Sequence, residues 1–214
     1  MKNHLNAPFA ITFGLLSANP HNIVVTKSMK NIAIFASGSG TNAENIIQYF
    51  ANSESVKVAV VLSNNYNAGV HERVNKLGVP SFVFSREEFI DGTPVLEKLA
   101  EYDVCFITLA GFLCRISDNI LRAFPDKIVN IHPALLPKYG GKGMYGMYVH
   151  EAVVRAGERE SGITIHLINE HYDEGAIIFQ ASCPVLPSDT PQDLAAKVHA
   201  LEYTHYPRVI ESML

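Results

Sequence analysis

The sequence predicts an α/β fold: a single doubly wound, mostly parallel sheet with an antiparallel C-terminal addition. Three observations lead to it. From residue 31 onward, short continuous apolar runs alternate with stretches of helical periodicity, as expected of parallel strands covered on both faces by crossover helices. Beyond residue 160 two strand-like runs follow each other with only a short polar stretch between them, which suits an antiparallel hairpin-like pair. Finally, 214 residues at 48% hydrophobic and 18% charged suffice for one sizeable core but not for two ordinary domains with linkers.

The elements follow in order. Asn31–Ala36 is an apolar run ending at glycines, and 42–50 places Ala43, Ile46, Ile47 and Phe50 on one helical face. Val56–Leu62 is a second buried strand, and Ala68–Leu77 a helix stopped by Gly78. Pro80–Phe84 makes a third strand, Pro94–Glu101 a helix, Val104–Leu109 a fourth strand and Ile128–Ile131 a fifth. Gly162–Ile168 and Ala176–Pro184 form the late pair. Thr190-Pro191 opens the final helix, with the threonine as cap and the proline in the first turn. That helix runs through Leu194, Val198 and Leu201 to Ile210 and is expected to bend near Pro207.

A formal net charge of −4 gives no electrostatic footprint for nucleic acid or an anionic membrane, so any phosphate must be held by a local site. No apolar run approaches the roughly 18 residues of a membrane span. Cys105, Cys114 and Cys183 are odd in number and far apart, and read as free thiols of a cytoplasmic protein. Residues 1–28 weakly imitate a secretory signal, with Phe9–Leu16 behind Lys2 and His4. Because Met29 leads straight into a core strand, residues 1–28 are expected to be a disordered extension or a start-site artefact. Residues 29–214 are then the functional domain.

Two segments carry chemistry. Ser37-Gly38-Ser39-Gly40-Thr41-Asn42 joins the first strand to the first helix, where glycines let an anion approach and free N–H groups meet it. The GxGxxG spacing fails, and the second strand ends without a carboxylate, so a terminal phosphate fits better than a dinucleotide. Asn130 and His132 lie two residues apart at the carboxyl end of the fifth strand, the edge at which open α/β sheets bind ligands. An amide can stabilise a developing oxyanion and an imidazole can move protons. Alternation over 161–166 puts Thr164 and His166 on one face, and the turn after it offers Glu170, Asp173 or Glu174 as a carboxylate partner. No HExxH occurs and the nine histidines show no ligand spacing, so no metal is expected.

These residues resemble the phosphoribosylglycinamide formyltransferase family over about 29–211. The matching motifs are SGSGTN at 37–42, LAGF at 109–112, NIHPALLPKYGG at 130–141, SGITIHLINEHYDEG at 161–175 and the late Glu202-Tyr203. The resemblance implies a Rossmann-like formyltransferase fold acting in purine biosynthesis. The formyl group of 10-formyltetrahydrofolate, a cosubstrate, would pass to the amine of 5-phosphoribosylglycinamide. It implies that Gly40, Thr41 and Asn42 hold the ribonucleotide phosphate and that Glu202 contacts the glycinamide part. Asn130 would bind the formyl oxygen, His132 would carry protons, and Asp173 would tune this histidine through a water. Leu113, Cys114, Arg115 and Ile116 match the segment lining the pterin pocket, with Asn130 beside it and Arg86 near where some relatives place a folate arginine. Many relatives read Met-Arg-Ile after LAGF, so Arg115 is shifted by one place. The stretch 140–148 is several residues longer than in some relatives and reads as a lid or as a plain surface loop.

Partners are therefore the two small molecules, with no nucleic acid or membrane, for a monomer or homodimer. The alternatives are a formyltetrahydrofolate hydrolase, a methionyl-tRNA formyltransferase and a non-catalytic nucleotide-binding module. The first usually carries an additional domain before the catalytic part and the second a barrel after it; neither is expected in 214 residues.

Overall fold

A computed structural model describes residues 28–214; the expectation for the N-terminal extension lies outside the described residues, apart from Ser28. The chain forms β1 (Lys30–Phe35), α1 (Thr41–Phe50), β2 (Val56–Ser63), α2 (Val70–Lys76), β3 (Ser81–Val83), α3 (Arg86–Asp91), α4 (Thr93–Glu101) and β4 (Val104–Leu109). It continues with α5 (Asp118–Ala123), β5 (Ile128–His132), α6 (Met147–Arg155), β6 (Glu160–Leu167), β7 (Ile177–Pro184) and α7 (Pro191–Met213). The seven strands form one sheet in the order β3-β2-β1-β4-β5-β6-β7. β1 to β5 pair in parallel, and β6 pairs antiparallel with both β5 and β7.

Period-two alternation divides each buried strand between two cores. Ile32 and Ile34 of β1 face a core closed by α1, α2, α6 and α7. Ala33 and Phe35 face the other, where α3, α4 and α5 supply Phe89, Val95, Leu99 and Ile120. Tyr206 of α7 is fully buried and takes a hydrogen bond from the Thr108 hydroxyl at 2.5 Å. Its own hydroxyl meets the carbonyls of Leu109 at 2.8 Å and Val129 at 3.2 Å, and so ties the last helix to the carboxyl ends of β4 and β5.

α7 runs unbroken across Pro207. The ring removes the N–H that would satisfy the carbonyl four residues earlier, and Asn45 of α1 supplies a side-chain N–H to that Tyr203 carbonyl at 3.0 Å instead. Three helices escape the sequence reading: α3, α5 and α6. The first two are six residues each, too short for a periodic signal, although Ser85 and Glu88 form a capping box at the head of α3. α6 begins at Met147, inside the stretch read as a loop through Tyr148.

Candidate active site

Strand order reverses between β1 and β4, with β2 and β3 to one side and β5 to β7 to the other. Two consecutive crossovers leave in opposite directions there, which opens a crevice at the carboxyl edge. A cleft of about 560 Å³ occupies it, lined from the glycine loop (38–42), the 110–113 segment, Asn130, the 141–146 loop, Asp173 and Glu202. Ser37 ties the two sides: its hydroxyl donates to Asn64 Oδ1 at 2.6 Å and accepts from Leu113 N–H at 2.9 Å.

The glycine loop meets α1 at Gly40, whose φ of 79° is left-handed. A side chain there would also press into Val70 at 2.6 Å, so only glycine allows α2 to close against the loop. The N–H groups of Thr41, Asn42 and Ala43 open the helix, and the first intrahelical bond runs from Glu44 N to Gly40 O. The first-turn donors are therefore unspent at the cleft wall. The Asn42 side chain is turned aside: its amide donates to Glu202 Oε2 at 2.9 Å, while its Oδ1 is buried without a partner. Burial pushes the Glu202 carboxyl above its usual range, against the opposing influence of Asn42 and of His199 nearby.

Asn130, His132, His166 and Asp173 converge because β5 and β6 pair antiparallel with Asn130 opposite His166 and His132 opposite Thr164. Asn130 Nδ2 and His166 Nε2 lie 3.1 Å apart, and His166 Nδ1 is 2.9 Å from the Leu167 carbonyl. A carbonyl only accepts, so the His166 proton resides on Nδ1, and Nε2 accepts from Asn130. The same logic fixes His132. Its Nε2 lies 2.7 Å from the Tyr139 carbonyl, which leaves the lone pair of the neutral ring on Nδ1, 3.6 Å from Asp173 Oδ2. Asp173 Oδ1 is likewise 3.6 Å from His166 Nε2, and its Oδ2 accepts from Gly141 N–H at 2.8 Å. Asp173 has a left-handed φ of 58°, a conformation aspartate tolerates better than most residues.

The electrostatics oppose burial to neighbouring charge. Burial lowers the His132 pKa, while Asp173 and the Tyr139 carbonyl pull it back up. Burial also pushes Asp173 upward, but His166, His132 and Gly141 N–H together hold its carboxyl below the usual range. Asn130 and Asp173 line the cleft. His132 is only 3% exposed and does not itself line the cleft; the chain after Pro133 folds back to place the Tyr139 carbonyl on its Nε2 edge.

Cys114, Arg115 and Ile116 line a smaller hollow that shares Asn130 and Asp173 with the cleft. Leu113 lines the main cleft, but its N–H is spent on Ser37. Arg115 is paired with Asp118 at 2.8 Å. Arg86 is exposed on the first turn of α3; its charge opposes the burial that raises the Cys114 thiol.

The arrangement unites a helix-terminus anion site with an amide donor and a carboxylate-backed imidazole. A formyl transferase family profile matches residues 30–210. The chain belongs to the formyl transferase family. It is 40% identical over 187 residues to the chloroplastic phosphoribosylglycinamide formyltransferase of Arabidopsis thaliana, covering 85% of this chain and 64% of that protein. With the Haemophilus influenzae phosphoribosylglycinamide formyltransferase it shares 36% over 188 residues, 86% of each chain. The crystal structure of glycinamide ribonucleotide transformylase 1 from Geobacillus kaustophilus superposes with a TM-score of 0.79 at 34% identity, covering 87% of this chain and 99% of that one. The chain thus spans slightly under two thirds of the plant relatives it matches.

Sequence reasoning left three parts of this candidate site unassigned. His166 is the shared neighbour of Asn130 and Asp173; the alternation over 161–166 put it on the Thr164 face but gave it no partner. Ser37 begins the glycine motif, yet its contacts lie 27 and 76 residues away. His150 and His199 reach the cleft from helices whose packing the sequence does not specify. Among the described residues, no group of three or more His, Cys, Asp or Glu is placed to hold a metal, and no helix is long and apolar enough to cross a membrane.

Proposed function

We propose that this chain transfers the formyl group of 10-formyltetrahydrofolate to the amine of 5-phosphoribosylglycinamide, in de novo purine biosynthesis, giving formylglycinamide ribonucleotide and tetrahydrofolate. The observation that carries the reading is the convergence, in one cleft, of the glycine loop, Glu202, Asn130 and Asp173. The ribonucleotide phosphate sits on the first-turn N–H groups of α1, and Glu202 takes the glycinamide end. The folate lies along 113–116, so that its formyl carbon meets the amine beside Asn130.

The amine lone pair attacks the formyl carbon, a C–N bond forms, and the carbonyl electrons move onto oxygen. The Asn130 amide donates to that oxyanion, a contribution of about 10²–10³ in turnover for donors of this kind. A water shared by Asp173 and His132 Nδ1 relays the proton released by the attacking nitrogen to that Nδ1, and Asp173 stabilises the imidazolium. The 3.6 Å separation suits a shared water or a small closure. The intermediate collapses, the bond to the folate N10 breaks, and N10 receives the proton.

Consumption of formyl-folate with and without the ribonucleotide tests the reading. Transfer requires turnover that depends on the amine. Formate release without the amine makes the chain a hydrolase, and no turnover at all makes it a binding module; either result sinks the proposal.

A further inference from the structure

α6 carries His150 to the wall of the cleft. The ring is 2% exposed, and its Nδ1 is buried without a hydrogen-bond partner. A histidine kept in a core ordinarily places a ring nitrogen on a protein group, because an orphaned polar atom costs about 1–3 kcal/mol. This ring forgoes such a partner on its sealed side.

Sealing fixes the tautomer. A buried N–H without an acceptor is rarer and costlier than a buried lone pair without a donor, so the proton belongs on Nε2. Because Nδ1 is covered, the edge that meets the cleft is the Nε2 edge. Burial, together with the charges of His199 and His132, holds the ring neutral, with its pKa lowered to about 4. His199 of α7 packs edge-on against His150, with centroids 6.4 Å apart and planes at 86°, and is itself stacked on Tyr203. His199 lies one turn before Glu202, which hydrogen-bonds Asn42 at the end of the glycine loop. His150 is thus coupled to His132 on one side and, through His199 on the helix of Glu202, to the Glu202–Asn42 pair at the glycine loop on the other.

We propose that His150 is a substrate-binding residue whose Nε2–H donates to the phosphate of the ribonucleotide, with His199 holding the ring in place. The inference rests on the formyl-transfer reading but concerns affinity for one substrate, not chemistry. A neutral donor with a sealed opposite edge binds a phosphate oxygen over the whole physiological range.

The test is calorimetric titration of the full chain with 5-phosphoribosylglycinamide in the absence of folate, followed by steady-state kinetics. His150→Phe keeps the ring and its packing but removes the nitrogen. It should weaken ribonucleotide binding by about tenfold, one hydrogen bond to a charged group. The KM for formyl-folate and kcat should stay within about twofold, since a uniformly made contact acts on binding alone. His150→Gln should recover at least part of the loss, and the same substrate without its phosphate should bind both forms equally. Unchanged ribonucleotide affinity in His150→Phe overturns the assignment, as does a parallel rise in folate KM. Imidazole ¹⁵N spectra of the wild-type chain supply a readout that needs no variant: the His150 Nε2–H resonance should shift on adding the ribonucleotide, and an unmoved resonance also overturns it. Failure of the functional reading looks different. A wild-type chain that binds the ribonucleotide through His150 but transfers no formyl group loses the activity and keeps this site.

Discussion

The two edges of the sheet carry hollows of similar size, about 560 Å³ at the carboxyl edge and 620 Å³ at the amino edge. The amino-edge hollow is lined by Ile47, Phe50, Val56, Leu77 and Tyr102 among others, and its half-buried Asn31 amide is satisfied by donation to the Tyr102 carbonyl at 2.9 Å. Three buried side-chain atoms lack a partner among the described residues: Asn42 Oδ1, His150 Nδ1 and Ser161 Oγ. Two of them belong to residues of the carboxyl-edge cleft, and none to the amino-edge hollow. Volume is a by-product of how helices leave a sheet. Free helix N–H groups, two of the three unpartnered buried atoms and the Asn130/His132/His166/Asp173 cluster lie at the carboxyl edge, where parallel strands end and helices begin.

The comparison breaks most readily at His132. His132→Ala should lower kcat by about three orders of magnitude or more, within the range for a positioned proton carrier. Asn130→Ala should lose about 10²–10³, as expected for one oxyanion donor. Near-normal turnover in either variant would remove the chemistry from the carboxyl edge.

Asp173→Asn sharpens the assignment through pH. If neutral His132 Nδ1 is the base, kcat/KM climbs with pH through a pKa below the ordinary 6.5 of histidine and levels off above it. The Asp173 charge raises that pKa, so its removal should displace the acid limb to still lower pH, together with a fall in kcat. A limb that stays in place would show that Asp173 acts only by packing against the Gly140–Gly141 turn.

A third measurement concerns stability. The His150 pKa is about 4 in the folded chain against 6.5 when free. Between those values the unfolded chain binds the extra proton, so stability rises with pH, and His150's contribution is lost as pH falls from 6.5 toward 4. Thermal melting of His150→Phe should therefore depend less on pH over that interval than wild type. Coincident profiles would mean that the ring is hydrated rather than sealed.

The smallest effect belongs to the amino edge. Asn31→Ala removes one half-buried hydrogen bond and should cost about 1 kcal/mol of stability, with turnover within about twofold of wild type. A large loss of kcat there would erase the distinction between the two hollows.

Much of this molecule was legible from residue order. The apolar runs are strands because both their faces are covered, and short continuous apolar runs alternating with helical periodicity need no tertiary information. The glycine loop and the Asn130/His132 pair were visible because topology alone carries strand ends to one edge. α3 and α5 were not, since six residues give less than two turns of pattern, and α6 was hidden by the glycines at its start. The turn after β6 offered three carboxylates, and the fold separates Asp173 from Glu170 and Glu174 by setting it 3.6 Å from both His132 and His166 and bonding it to Gly141.

Local chemistry thus determined the strands, the helices α1, α2, α4 and α7 and the types of residue at the carboxyl edge, since propensity and periodicity are properties of neighbouring residues. Tertiary structure alone decided which nitrogen of each histidine holds its proton, that the Tyr139 carbonyl occupies the Nε2 edge of His132, and that His150 and His199 line the same cleft as the glycine loop. Those features depend on how the backbone turns and on helices distant in the chain meeting within a few ångströms, neither of which sequence spacing encodes.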